Sequence, residues 1–125
     1  MEKKIYYHDT DCGGVVYYAN YLKYLEEART EYFTEKGASI KSLAEKGILF
    51  VVARQEIDYK SPAFYADTLQ VLTKFSLITA VKMEVEHRII NQNGLVVCLA
   101  KTILVCVDRE IKPRHIPEEI KNKLS

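Results

Sequence analysis

The sequence contains no tryptophan and only three prolines, five glycines and three cysteines in 125 residues. Nothing in it is repetitive or of low complexity, and no Pro- or Gly-rich linker divides it, so one domain is expected. Cys12, Cys98 and Cys106 form no CxxC pair, and an odd count argues for reduced thiols over a disulfide framework. The three histidines (His8, His87 and His115) are scattered without ligand spacing, so no metal site is expected. No glycine-rich phosphate loop offers itself to a nucleotide. Neither sign of charge is in excess. Eighteen Lys and Arg stand against 17 Asp and Glu, for a net charge of +1, which argues against a general nucleic-acid binder. No apolar run approaches the roughly 20 residues of a membrane-spanning helix, so no stable membrane insertion is expected. Met1-Glu2-Lys3-Lys4 lacks the apolar stretch of a signal peptide, which makes a cytoplasmic location the expectation.

What is present is a globular composition, 48% hydrophobic and 28% charged, enough for one real core. Residues 3–8 read as a short strand entering a loop at Asp9–Gly14. Tyr18, Tyr21, Leu25, Ala28 and Tyr32 then recur at steps of three and four, with Leu22, Arg29 and Phe33 flanking them. That pattern predicts a long, broadly covered helix stopped at Gly37, with Asn20 as a candidate cap. Residues 39–46 predict a second, short helix ended by Gly47. Strands follow. Leu49–Tyr59 places Ala53, Gln55, Ile57 and Tyr59 on one face; the next begins at Ala66-Asp67 and runs through Leu77. A third sets Val81, Met83, Val85, His87 and Ile89 against Lys82, Glu84, Glu86 and Arg88. Asn91–Gly94 is a hairpin turn, and Leu95–Val107, apolar on both faces, reads as a central strand. Pro117 opens a terminal helix. Four long strands joined by short connections favour an antiparallel sheet, and one buried helix against it gives an α+β layer arrangement.

The chemistry concentrates in Asp9-Thr10-Asp11-Cys12-Gly13-Gly14-Val15-Val16-Tyr17-Tyr18. Two carboxylates at i and i+2 precede a glycine pair and then the helix N-terminus, whose free N–H groups and partial positive charge suit a polarised carbonyl oxygen. A carboxylate facing the same point can attack that carbonyl or activate water. The same residues also serve as ordinary caps and turns, and spacing alone leaves both readings open.

The stretch Tyr6–Phe33, with its D-x-D-x-x-G-x-V-x-x-x-x-Y pattern, closely resembles the YbgC-like acyl-CoA thioesterases, grouped with the 4-hydroxybenzoyl-CoA thioesterases among hotdog-fold proteins. Further matching segments are Ile57–Ala63, Ala66–Leu69, Val105–Asp108 and Lys112-Pro113-Arg114. The resemblance implies a curved antiparallel sheet of about five strands wrapped around one long helix. It implies Asp11 as the catalytic carboxylate, nucleophile or general base, and the backbone N–H of Tyr18 as donor to the thioester carbonyl. Gly14, Val15 and Asn20 of the same motif are the substrate-binding residues expected beside them, and Arg114 is the first choice for coenzyme A phosphates, ahead of Lys60, Arg88, Arg109 and Lys112. A small acyl-CoA, short-chain or aromatic, is the implied substrate, with an acyl-carrier-protein thioester or a non-catalytic acyl-binding role as alternatives. No cofactor is implied, and the assembly would be a homotetramer built as a dimer of dimers. Nine tyrosines, six of them between Tyr6 and Tyr24, fit an interface loosely.

The chain departs from the pattern at two positions. Tyr18 stands where many relatives carry His, which removes an imidazole but leaves the backbone N–H. Cys12 occupies a position that is often a small residue and has no partner His in the motif, so a nucleophilic thiol is disfavoured. Asp9 is expected to shape the loop through backbone N–H groups, and Arg29, in an apolar stripe, needs a buried partner.

Overall fold

The computed structural model describes residues 1–125. Along the chain lie β1 (Glu2–Lys4), one 3-10 turn (Tyr7–Asp9), α1 (Asn20–Glu35), α2 (Ile40–Glu45), β2 (Leu49–Tyr59), β3 (Thr68–Ile78), β4 (Lys82–Ile90), β5 (Val96–Val107) and α3 (Glu118–Leu124). All five strands pair antiparallel in the order β1-β3-β4-β5-β2. β5, apolar on both faces, is flanked on both sides as its sequence predicts, and the eleven-residue β2 is left as an edge strand.

The alternation within each strand turns one face towards α1. Met83, Val85, His87 and Ile89 of β4 and Cys98, Ala100, Thr102, Leu104 and Cys106 of β5 are buried there. From α1, Tyr21, Tyr24, Leu25, Ala28 and Phe33 enter the core, whereas Leu22 and Tyr18 are exposed, so the covered stripe is narrower than the sequence pattern predicts. α1 ends in a Schellman motif: Ala38 N–H donates to Phe33 O at 2.9 Å and Gly37 N–H to Thr34 O at 3.0 Å, with Gly37 at φ +78°, which a glycine adopts without a Cβ clash.

The core is two apolar clusters, one around Tyr24, Leu25 and Ile89 and one around Phe33, Met83 and Leu104. At the boundary between them every long strand turns a polar residue inward: Gln55 on β2, Thr102 on β5, His87 on β4 and Thr73 on β3. Register pairs Gln55 with Thr102 and His87 with Thr73. Arg29 of α1 meets this belt, with Nη1 3.5 Å from Thr102 Oγ1.

Several boundaries differ from the sequence reading. β1 stops at Lys4 because Asp9 draws Tyr6 into a turn, its Oδ2 accepting from the Tyr6 N–H at 2.9 Å. A bulge between Val52 and Arg54 takes Ala53 out of the register, so only Gln55, Ile57 and Tyr59 of the expected face share it. β3 begins at Thr68, since Ala66 sits at φ +72°, a left-handed conformation incompatible with a strand. Asn20 is not a cap: Ala19 occupies that position with no side-chain bond, and the Asn20 amide donates instead to Asp9 O at 2.8 Å.

Candidate active site

The acidic loop folds as a tight hairpin. Tyr17 N–H donates to Asp9 O at 3.0 Å, Thr10 bridges Val16, and Asp11 N–H donates to Val15 O at 2.9 Å. At the tip Gly14 N–H returns to Asp11 O at 3.1 Å, and Gly14 holds φ +80°, so a side chain there would strain the turn. The hairpin is fastened to the body by Val16, which is buried and donates its N–H to Ala63 O at 2.8 Å.

The two aspartates meet opposite environments. Asp9 is buried; its Oδ1 accepts the Tyr24 hydroxyl at 2.7 Å and its Oδ2 the Tyr6 N–H. Burial raises its pKa, but the Tyr24 and Tyr6 hydrogen bonds, with Lys3 and His8 nearby, outweigh burial and hold the carboxyl below its ordinary value. Both oxygens of Asp9 are thus engaged in holding loop to helix. Asp11 is exposed at the hairpin tip. Its Oδ1 accepts from the Gly13 N–H at 2.8 Å, the one hydrogen bond its side chain makes, which leaves Oδ2 without a partner.

The second arm of the hairpin leads into α1. The N–H groups of Tyr18 and Ala19 donate to no acceptor in the chain, and the helix dipole adds positive potential there. The Tyr18 carbonyl is fixed from two sides, by the Tyr21 N–H and by the Tyr59 hydroxyl, each at 3.4 Å. Beside it opens a cleft of about 260 Å³ whose walls include Val15, Tyr18, Tyr21, Tyr59 and Lys60. The Tyr18 ring stands edge-on to Tyr59 at 6.1 Å, and Tyr59 tilts against Tyr21 at 5.8 Å. Burial pushes the Tyr21 hydroxyl up to about 12 and raises that of Tyr59, so both are protonated at neutral pH and act as donors, not bases.

Of the residues expected at the site, Asp11 and Gly14 lie at the hairpin tip, and Val15 and Tyr18 line the cleft. Asn20 faces inward to Asp9 O, so it positions the loop and is not turned towards a ligand. Arg114 is elsewhere: its backbone N–H pairs with Cys106 O and its Nη1 lies 3.4 Å from Gly47 O, just before β2 begins, whereas the cleft lies just past its end. The whole length of the eleven-residue β2 lies between the two places. The base that the structure does bring to the cleft is Lys60. Tyr59 was legible in the sequence only as one face of a strand; its place beside the Ser61-Pro62 break was the available signal. Cys12 is exposed beside Asp11, whereas Cys98 and Cys106 are buried, and burial lifts the Cys98 thiol to about 12. No three His, Cys, Asp or Glu side chains cluster closely enough to hold a metal ion. The largest surface hollow, about 540 Å³, lies on the outer face of the sheet among Glu56, Asp58, Glu86, Arg88 and Lys101, away from the hairpin.

One carboxylate oxygen free at a hairpin tip, with unpaired N–H groups on the arm that leads into the helix, can polarise a carbonyl and deliver a nucleophile to it.

The family model of the thioesterase-like superfamily matches residues 6–124. The chain is 39% identical over 120 residues to an acyl-CoA thioesterase, YbgC, of Haemophilus influenzae, covering 94% of this chain and 88% of that protein. It is 35% identical over 118 residues to the acyl-CoA thioester hydrolase YbgC of Escherichia coli O6:H1, with the same coverage of 94% and 88%. A solved structure of a hypothetical protein from Aquifex aeolicus superposes with a TM-score of 0.95 at 26% identity, covering 100% of this chain and 98% of that one. The curved five-stranded antiparallel sheet around α1 is the hotdog fold.

Proposed function

The chain belongs to the thioesterase-like superfamily, and from that premise we propose that it hydrolyses the thioester of a small acyl-CoA, short-chain or aromatic, to the free acid and coenzyme A. The observation that carries the reading is the contrast between the two aspartates. Asp9 is fully engaged by the fold, whereas Asp11 keeps one free, exposed oxygen on the hairpin that leads into the unpaired Tyr18 N–H.

In this mechanism the Tyr18 N–H donates to the thioester carbonyl and stabilises the oxyanion as it forms. Asp11 acts in one of two ways. As general base it takes a proton from water, whose oxygen bonds to the carbonyl carbon; the C–S bond then breaks and the coenzyme A thiolate leaves. As nucleophile its Oδ2 makes that bond itself, and water cleaves the resulting anhydride. Label found in Asp11 after a single turnover in ¹⁸O-water marks the nucleophilic route, since only an anhydride opened by water at the Asp11 carboxyl carbon puts it there. A thioester is reactive enough that neither route calls for a cofactor, and Tyr18 contributes its main chain, not an imidazole.

The reading includes a homotetramer built as a dimer of dimers. The unpaired edge of β2, with Val52 half exposed and a groove beside it where Phe33, Phe50 and Leu104 meet Glu26 and Arg29, supports pairing with a second copy. Arg114, remote from the hairpin of its own protomer, would reach coenzyme A only across a subunit boundary. No helix is long and apolar enough to cross a membrane, and three free cysteines suit the reducing cytoplasm.

The test is release of free thiol from butyryl-, benzoyl- and palmitoyl-CoA by the purified protein. Hydrolysis of at least one of the two small acyl-CoAs is expected. Inertness towards all three, with cleavage of an acyl-carrier-protein thioester, would transfer the activity to that substrate; inertness towards every thioester would overturn the reading.

A further inference from the structure

The cleft beside Tyr18 is aromatic and almost uncharged. Tyr18, Tyr21 and Tyr59 supply three rings, Val15 and Pro62 add aliphatic surface, and no carboxylate lines it. Its one formal charge is Lys60, which takes part in none of the chain's six ion pairs. Asp58, the nearest carboxylate in sequence, lines the hollow on the outer face of the sheet instead. Lys60 comes to the cleft because β2 has just ended. Continued alternation would carry it to the outer face with Glu56 and Asp58. Instead the N–H groups of Lys60 and Ser61 both donate to Val97 O, at 2.8 and 3.2 Å, in a turn that leads into Pro62. The main chain of Lys60 is thus fixed next to Tyr59, whose hydroxyl reaches the Tyr18 carbonyl, while its side chain is exposed.

We propose that Lys60 recognises a carboxylate at the far end of the acyl group, so that the cleft favours acidic acyl groups such as glutaryl over uncharged chains of the same length. The inference rests on the thioesterase reading, which puts the reacting carbonyl at the Tyr18 N–H. Lys60, the residue after Tyr59, is then within reach of the end of a short acyl chain. The phosphates of coenzyme A lie the other way, because the long pantetheine arm carries them off from the reacting carbon. A carboxylate that enters an aromatic cleft loses water, and a charge-assisted hydrogen bond from the ammonium replaces that hydration. The partial positive charge at the start of α1 attracts the same anion. Solvent weakens a pair made by an exposed lysine, so the effect is about five- to tenfold, not the hundredfold or more of a buried pair.

The test compares glutaryl-CoA with hexanoyl-CoA, an uncharged chain of similar length, in the native protein, Lys60→Met and Lys60→Arg. The native ratio of kcat/KM for glutaryl-CoA to that for hexanoyl-CoA is expected to exceed one. It should fall about five- to tenfold in Lys60→Met, which keeps the length and loses the charge, and stay within about twofold of native in Lys60→Arg. Both substitutions fall at an exposed side chain and should leave the fold intact. Equal losses on the two substrates in Lys60→Met would assign Lys60 to the coenzyme A phosphates and overturn the proposal, as would a native preference for hexanoyl-CoA. Calorimetric binding of the uncleavable thioethers S-(4-carboxybutyl)-CoA and S-hexyl-CoA gives the same comparison without turnover. If no acyl-CoA is hydrolysed, yet the native protein binds the carboxybutyl compound more tightly and Lys60→Met does not, the thioesterase reading falls and the role of Lys60 stands. Equal affinities in the native protein, or no binding of either compound, remove that role.

Discussion

Tyr24 donates its hydroxyl proton to Asp9 Oδ1 at 2.7 Å, across the base of the hairpin that carries Asp11 at its tip. The two aspartates thereby divide their work: one anchors the hairpin to α1, and the other is left with a free oxygen. Tyr24→Phe removes a hydrogen bond to a buried charge and is expected to cost about 1.5–3 kcal/mol in chemical denaturation. Asp11→Asn, at an exposed position, should stay within about 0.5 kcal/mol of the native protein. Equal losses in the two variants would refute this division.

Tyr59 reaches the same region from the end of β2, its hydroxyl 3.4 Å from the Tyr18 carbonyl. Tyr59→Phe keeps the ring and loses that bond, so kcat is expected to fall about three- to tenfold with KM little changed. A rise in KM at constant kcat would instead make Tyr59 a substrate contact.

His87 is buried in the polar belt with neither ring nitrogen hydrogen-bonded within the chain. Burial, aided by the charge of Arg29, lowers its pKa from 6.5 to about 4. The unfolded chain therefore binds the proton first as the pH falls, and folding stability declines from about pH 6.5 down to about 4, by at most about 1.4 kcal/mol per pH unit. Asp9, with its lowered pKa, adds its own loss only below the ordinary carboxylate range. His87→Leu should flatten the upper part of this decline in urea titrations at a series of pH values. An unchanged slope would show that His87 does not govern it.

Val52, half exposed on the unpaired edge of β2, is the residue whose replacement by Glu should weaken pairing with a second copy. Sedimentation is expected to give a smaller mass for Val52→Glu than for the native protein. An unchanged mass would put the interface elsewhere.

The strands were legible because their alternation is a local property: β2 matches the sequence reading end to end, and β5 announces its interior place by being apolar on both faces. Gly37 announced the end of α1 for the same reason. What failed to show depends on tertiary partners. The turn at Tyr7–Asp9 is held by Tyr24, fifteen residues beyond Asp9, and the bulge at Ala53 exists only in the pairing with β5. The proposed residues Asp11, Val15 and Tyr18 could be expected near one another because their motif lies in one hairpin and the arm that leaves it. Arg114 was displaced because nothing in the sequence tells at which end of the sheet its segment lies. The polar belt was equally hidden. Register pairs Gln55 with Thr102 and Thr73 with His87, and only the β4–β5 pairing, in which His87 opposes Ala100 and Thr102 opposes Val85, brings the two pairs side by side.

The central claim is that Asp11 carries the chemistry, and the most direct measurement is the single-turnover rate of thioester cleavage by Asp11→Asn beside the native protein, on a substrate that the native protein turns over. The variant is expected to keep its thermal midpoint and lose activity by at least about a hundredfold, the scale of a positioned base or nucleophile. A folded variant that retains a rate within a fewfold of native would contradict the account and return Asp11 to the role of a turn residue holding Gly13.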